Sequence, residues 1–279
     1  MDLLLAHGAM PPGAAWHLEA PVQMGLACAA AGYLFLVLRL RSRGGAVKRG
    51  RAWAWGLGLA SVLVALQTPL SAVAEGRSLA AHMLQHVLLM SVAAPLLLVG
   101  LYPRLLVPVT RPLLPAMLNR RFPSALLRML SEPAFTFGVW LLVLYLWHVP
   151  AVYGLALHSE PWHIAEHLSL MIAGTLFWLP VIDPLVSLKR MPPVRRILYL
   201  GGGQVATAVL AAVLVWWPDV LYIHYERANE MWGISPQADQ QVAGALMMVI
   251  DMIAALWATT WIALGSLGRA PSAQPQAAL

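Results

Sequence analysis

Seven stretches of this chain are apolar enough and long enough to cross a hydrocarbon core, which takes about 20 residues of helix. They run over residues 21–40, 52–70, 79–100, 133–149, 163–181, 197–216 and 241–264. Polar and charged positions gather between them. Pro21, Pro133 and Pro161 stand near the predicted helix starts, where a missing backbone N–H costs little. The pattern predicts an all-α polytopic membrane protein with an N-terminal segment over 1–20, a seven-helix domain over 21–268 and a disordered tail over 269–279.

Composition supports that pattern. The chain of 279 residues is 60% hydrophobic and 11% charged, whereas soluble domains are about a quarter charged. A net charge of +6 would suggest nucleic acid in a soluble protein. Here the basic residues sit in short loops, where they read as topology signals and contacts to anionic lipid; no nucleic-acid partner is expected. Sixteen of the eighteen Lys and Arg fall after spans one, three, five and seven, and only Arg77 and Arg227 fall on the other side. The excess of positive charge on the inner side then predicts an N-terminus outside and a C-terminus in the cytoplasm, as for a protein of a bacterial inner membrane. The single cysteine, Cys28, excludes a disulfide framework and a CxxC metal or redox motif.

Some polar residues lie inside the spans. "AHMLQHVLLM" at 81–90 carries His82, Gln85 and His86, and "HIAEH" carries His163, Glu166 and His167. Side chains at i and i+4 share a helix face, so each pair can bind one metal or two adjacent ones. Both pairs occupy the first two turns of spans that begin on the same side, and His148 reaches a similar depth from the end of span four. Span seven opens with "DQQVAGALMM", which supplies Asp239, Gln240, Gly244, Met247 and Met248. All nine histidines lie at or near the predicted outer face. Imidazole suits copper, zinc, iron and nickel, and thioether selects Cu(I); histidines with methionines and no cysteine favour copper. Gln85, Glu166 and Gln240 are candidates to orient the ring nitrogens from behind.

Each feature also has a plainer reading. A single histidine at a helix end is usually an interfacial polar residue, and most methionines in a membrane protein are packing. Trp147, Tyr153, Trp162, Trp216, Trp217 and Trp232 read as an aromatic belt. His7, His17, His158 and His224 read as solvated. Asp251, near the middle of span seven, reads either as a protonated or hydrogen-bonded carboxyl or as a step on a proton or ion path. What favours a metal site is two HxxxH pairs and a fifth histidine at one depth.

The ordered set "HMLQH", "WHVPAVY", "HIAEH" and "DQQVAGALMM" on seven spans resembles the CtaG-like assembly factors of caa3-type cytochrome c oxidase. The resemblance runs from span one to span seven. It implies a copper metallochaperone that brings copper to the binuclear-centre site of the oxidase catalytic subunit, with another copper chaperone as a further partner. By the motif match the working residues are His82, His86, His148, His163, His167 and Asp239, and passive transfer needs no catalytic residue. Two rivals remain open. HxxEH also suits an intramembrane zinc hydrolase with glutamate as base. A bis-histidine haem protein is the other, although HxxxH within one helix does not place axial ligands on opposite sides of a porphyrin.

Overall fold

The computed structural model describes residues 19–107, 125, 129–130, 132–184, 191–226 and 233–267. His7, His17, Trp232, most of the 1–20 segment and the 269–279 tail lie outside the described residues. Among the described residues the chain is all helix. In order the elements are α1 (Ala20–Arg41), α2 (Arg49–Gln67), α3 (Pro69–Gly76), α4 (Leu79–Gly100), α5 (Pro133–Trp147), α6 (Pro150–His158), α7 (Glu160–Ile182), α8 (Pro193–Trp216), α9 (Ile223–Glu226) and α10 (Pro236–Leu267).

Five of these, α1, α4, α7, α8 and α10, are each long and apolar enough to cross a membrane. Two bent pairs meet the same criterion together, α2 with α3, at 48°, and α5 with α6, at 74°, which makes seven spans if each pair crosses as one. Proline causes both bends. A residue before proline is pushed out of the helical region, and Thr68 and Val149 are both extended. Thr68 also caps α3, its hydroxyl accepting from Leu70 N at 3.3 Å. In "WHVP" the same effect ends α5 at Trp147 and leaves His148 at its C-cap.

The centre of the bundle is α4, 61% buried over its apolar window, against 6% for α1, whose sides face outward. Helices α2, α3, α7 and α10 pack around α4, and α8 packs along α10. Small residues let these backbones meet, as expected within membranes. A Cβ on Gly244 would come within 2.8 Å of Ala211 O in α8, and one on Gly174 of α7 within 2.7 Å of Met90 Cα in α4.

Helix α4 is not uniform. Leu88–Ala93 is a π-helical turn, followed by Pro95. Proline has no N–H to give to the preceding turn. Met90 O, left free there, accepts from Trp178 Nε1 of α7 at 3.1 Å. The wider turn also presents Ser91 to Asp251 of α10, and the hydroxyl donates to Asp251 Oδ1. Ser91, Gln204, Thr207 and Asp251 line a cavity of about 20 Å³, room for one water molecule.

Two expectations change. Trp147 and Tyr153 are 5% and 1% exposed and belong to the core. Trp162, Trp216 and Trp217 are exposed, as a belt requires.

Candidate metal centre

Helices α4, α7 and α10 begin at one end of the bundle, and α2 and α5 finish there. That end holds the polar residues. Asp239, in the first turn of α10, locks the start of α4: its carboxylate accepts from Ser78 Oγ at 2.7 Å, Leu79 N at 2.6 Å and Ala80 N at 3.4 Å. Ser78 caps the same helix, its hydroxyl accepting from Ala81 N at 3.1 Å. With both ends of the contact tied, the first turns of α4 and α10 are held at a fixed depth.

On that frame His82 and His86 project from α4 toward His163, Glu166 and His167 of α7. One donor atom from each of His82, His163, Glu166 and His167 falls in a group whose members all lie within 4.8 Å of one another. His86 adjoins them: its Nε2 is 3.5 Å from Glu166 Oε1, as His82 Nε2 is from Oε2. The ring centroids of His82 and His86 are 4.6 Å apart, and those of His86 and His167 5.6 Å. His82 and Glu166 are fully buried, His86 is 2% exposed and His167 8%.

The orientation of the His82 ring follows from its neighbours. Tyr225, in α9 outside the spans, has its hydroxyl pushed well above the ordinary tyrosine range, chiefly by burial, and keeps its proton. That single proton is donated to Ala74 O at 2.7 Å, because a carbonyl only accepts. The Tyr225 oxygen must then accept from His82 Nδ1 at 3.1 Å and from Tyr153 Oη at 3.0 Å. His82 Nδ1 is thereby engaged as a donor, and its Nε2 is turned toward Glu166 Oε2 at 3.5 Å, where neither atom has a hydrogen-bond partner. A nitrogen and a carboxyl oxygen placed so are a candidate pair of metal ligands.

The rest of the cluster has the same character. His86 Nδ1 and Nε2, His163 Nε2, His167 Nε2 and both Glu166 oxygens are buried without a hydrogen-bond partner. A buried polar group without a partner is costly, and coordination of a metal ion would satisfy donors arranged in this way.

The residues predicted from sequence divide accordingly. The structure brings His82, His86, His163, Glu166 and His167 together. His148 stands beside them, its ring centroid 6.2 Å from that of His86. Asp239 is engaged as a helix cap. Gln85 ties α4 to α2, its Nε2 donating to Ala65 O at 2.7 Å. Gln240 clamps the loop after α8, accepting from Leu221 N at 2.8 Å and donating to Leu214 O and Asp219 O at 3.2 Å each. Met247 is buried in the apolar core, while Met248 is 44% exposed on the outside of the bundle. Tyr225 and Tyr153 were not anticipated. Nothing in helical spacing points to Tyr225, which lies 143 residues from His82.

The sequence matches the model of one family, cytochrome c oxidase caa3 assembly factor, over residues 31–267. The chain belongs to this family. No curated protein and no solved structure matches it. The matched residues of this assembly factor include every histidine, carboxylate and tyrosine of the cluster, so the buried site lies inside the family's shared domain rather than in an appendage. Its least buried edge is at His163, whose side chain is 14% exposed and whose Nδ1 is 3.9 Å from Glu75 Oε1; the Glu75 side chain is 35% exposed. Near it His224, on α9, donates from Nε2 to Glu75 O at 3.0 Å, since a carbonyl only accepts. Burial pulls His224 below the ordinary histidine range, which keeps it neutral.

Proposed function

We propose that this assembly factor holds copper in the His82–His163–Glu166–His167 cluster, with His86 as a further donor, and passes it to the catalytic subunit of a caa3-type oxidase. The observation that carries the proposal is the set of buried, unpaired donor atoms within 4.8 Å of one another. Imidazole nitrogens and one carboxylate suit a borderline cation. The chain has a single cysteine, so thiolate chemistry of the CxxC kind is not what it offers. A factor that assembles a haem–copper enzyme has copper as its natural cargo.

Transfer of copper is ligand exchange and needs no catalytic group. The exchange runs through the His163–Glu75 edge, the side of the cluster with the most exposure. By the distribution of Lys and Arg this end of the bundle faces outward from a bacterial inner membrane, with the C-terminus in the cytoplasm. Copper arriving from another copper chaperone on that side would meet Glu75 and His163 first.

A second reading rests on the same geometry. Three imidazoles and a carboxylate are also a zinc set, and HxxEH places Glu166 where a base would stand. The near-complete burial of His82, His86 and Glu166 favours storage of an ion over attack on a bulky substrate. The test is made in cells that produce a caa3-type oxidase. With His82, His163, Glu166 and His167 all replaced by alanine, the oxidase should carry its haem but lack its copper. Oxidase with full copper would overturn the proposal.

A further inference from the structure

One contact beside the cluster is made of two atoms that both hold lone pairs. His148 Nδ1 lies 2.7 Å from Leu144 O. A carbonyl only accepts, so Nδ1 carries the ring proton and Nε2 carries a lone pair. That Nε2 is 3.2 Å from Met83 Sδ, and a thioether has no proton to give. The residues are 7% and 0% exposed. Around them lie Leu144, Trp147 and Tyr222, and Tyr222 uses its hydroxyl on His148 O at 3.0 Å.

We propose that His148 Nε2 and Met83 Sδ, with His86 as the arm shared with the neighbouring cluster, form a second metal site that takes Cu(I). The inference rests on the copper reading of the cluster and adds a separate, softer position to it. A ring nitrogen about 2.0 Å and a sulfur about 2.3 Å from one ion, at an angle near 95°, lie roughly 3.2 Å apart, which is the separation found. Thioether is the donor that selects Cu(I) over harder ions. His86, with both ring nitrogens unpaired, has its ring 5.6 Å from His167 on one side and 6.2 Å from His148 on the other. It can serve either position, so a copper can pass between them by exchanging one ligand at a time.

The positions also differ in chemistry. The cluster has a carboxylate and four imidazoles and accepts either oxidation state of copper. The His148–Met83 position has no anionic donor and favours the monovalent ion. Met83 follows His82 directly and is one turn before His86 on α4, so a single helix turn presents both environments.

The experiment loads purified full-length protein with Cu(I) under anaerobic, reducing conditions. Bound copper is counted, and X-ray absorption at the copper edge reads its neighbours. The expected result is two coppers per chain, with a sulfur neighbour at about 2.3 Å. Met83→Leu, close in volume, should hold one copper with nitrogen and oxygen neighbours only, and His148→Asn should do the same. A His82→Ala/Glu166→Ala variant should keep the sulfur-bound copper and lose the other. A wild-type protein that binds one copper without sulfur, lost in the His82/Glu166 variant, leaves the cluster standing and overturns the second site. Two coppers with the sulfur neighbour unchanged in Met83→Leu also overturns it. No copper at any loading overturns both readings. Should Met83→Leu fail to fold, the sulfur neighbour in the wild type and its loss in His148→Asn decide the matter.

Discussion

Replacing Tyr225 by phenylalanine removes one oxygen and three hydrogen bonds: to Ala74 O, to His82 Nδ1 and to Tyr153 Oη. Tyr225, Tyr153 and His82 are 3%, 1% and 0% exposed, so none of the groups left behind meets bulk solvent directly. An unmade bond costs about 1–3 kcal/mol per buried group, and with Tyr153 free to rotate toward another acceptor the net loss of stability should be about 2–4 kcal/mol. The effect on metal is separate. The Tyr225 oxygen holds His82 by Nδ1 and so aims its Nε2 at Glu166. Loss of such an orienting partner typically weakens metal binding by about 10–100-fold, or roughly 1.4–2.7 kcal/mol. Tyr153→Phe is the control, because it removes only the bond to Tyr225 and leaves His82 oriented. Copper affinity is read by competition with a chromophoric chelator, and stability by thermal unfolding in detergent. Tyr225→Phe should lose both, and Tyr153→Phe should lose stability with less than about a threefold change in affinity. Unchanged copper affinity in Tyr225→Phe would refute the argument that Tyr225 aims His82 at the metal.

Other outcomes follow from single contacts. Glu166→Gln keeps the shape of the cluster and removes its one carboxylate; copper should bind at least about tenfold more weakly while the thermal transition stays within a few degrees, as read in the same two assays. Asp239→Ala should cost about 1–2 kcal/mol through the lost α4 cap and leave copper stoichiometry unchanged, because its oxygens are occupied by Ser78, Leu79 and Ala80. Gly174→Ala puts a Cβ 2.7 Å from Met90 Cα and should destabilise the bundle by about 1–3 kcal/mol, measured by thermal unfolding. Copper retention should fall with acid, because protons compete with the metal for the ring nitrogens; dialysis at stepwise lower pH followed by metal analysis should show progressive loss, and retention unchanged by acid would contradict histidine ligation.

The helices and the core of the site were legible because both obey the helical period. His82 with His86, and His163 with His167, had to share faces, and their places two turns from the same end gave them one depth. The bends at Thr68–Pro69 and Val149–Pro150 were not read from the sequence, because a proline at a span's end also fits a plain helix boundary. What could not be read is azimuth. Depth alone made Trp147 and Tyr153 belt residues, and the motif match made Asp239 a working residue, whereas the packing of α5 and α6 on α7 turns the aromatics inward and the approach of α10 to α4 turns the carboxylate onto free backbone N–H groups. Glu166 was placed behind the histidines, but in the structure its oxygens stand between those of α4 and α7. The π-helical turn escaped notice because its cause, Pro95, also fits an ordinary kink. Tyr225 was invisible because its role depends on a contact between distant segments.

The central claim is that the buried histidine–glutamate cluster holds copper. It is tested most directly by elemental mass spectrometry of the protein purified in detergent, beside a variant in which His82, His163, Glu166 and His167 are alanine. The account predicts near-stoichiometric or greater copper in the wild type, with little zinc or iron, and loss of the cluster's copper in the variant. Zinc in place of copper, iron with a haem spectrum, or a copper content that the four substitutions leave unchanged would contradict it.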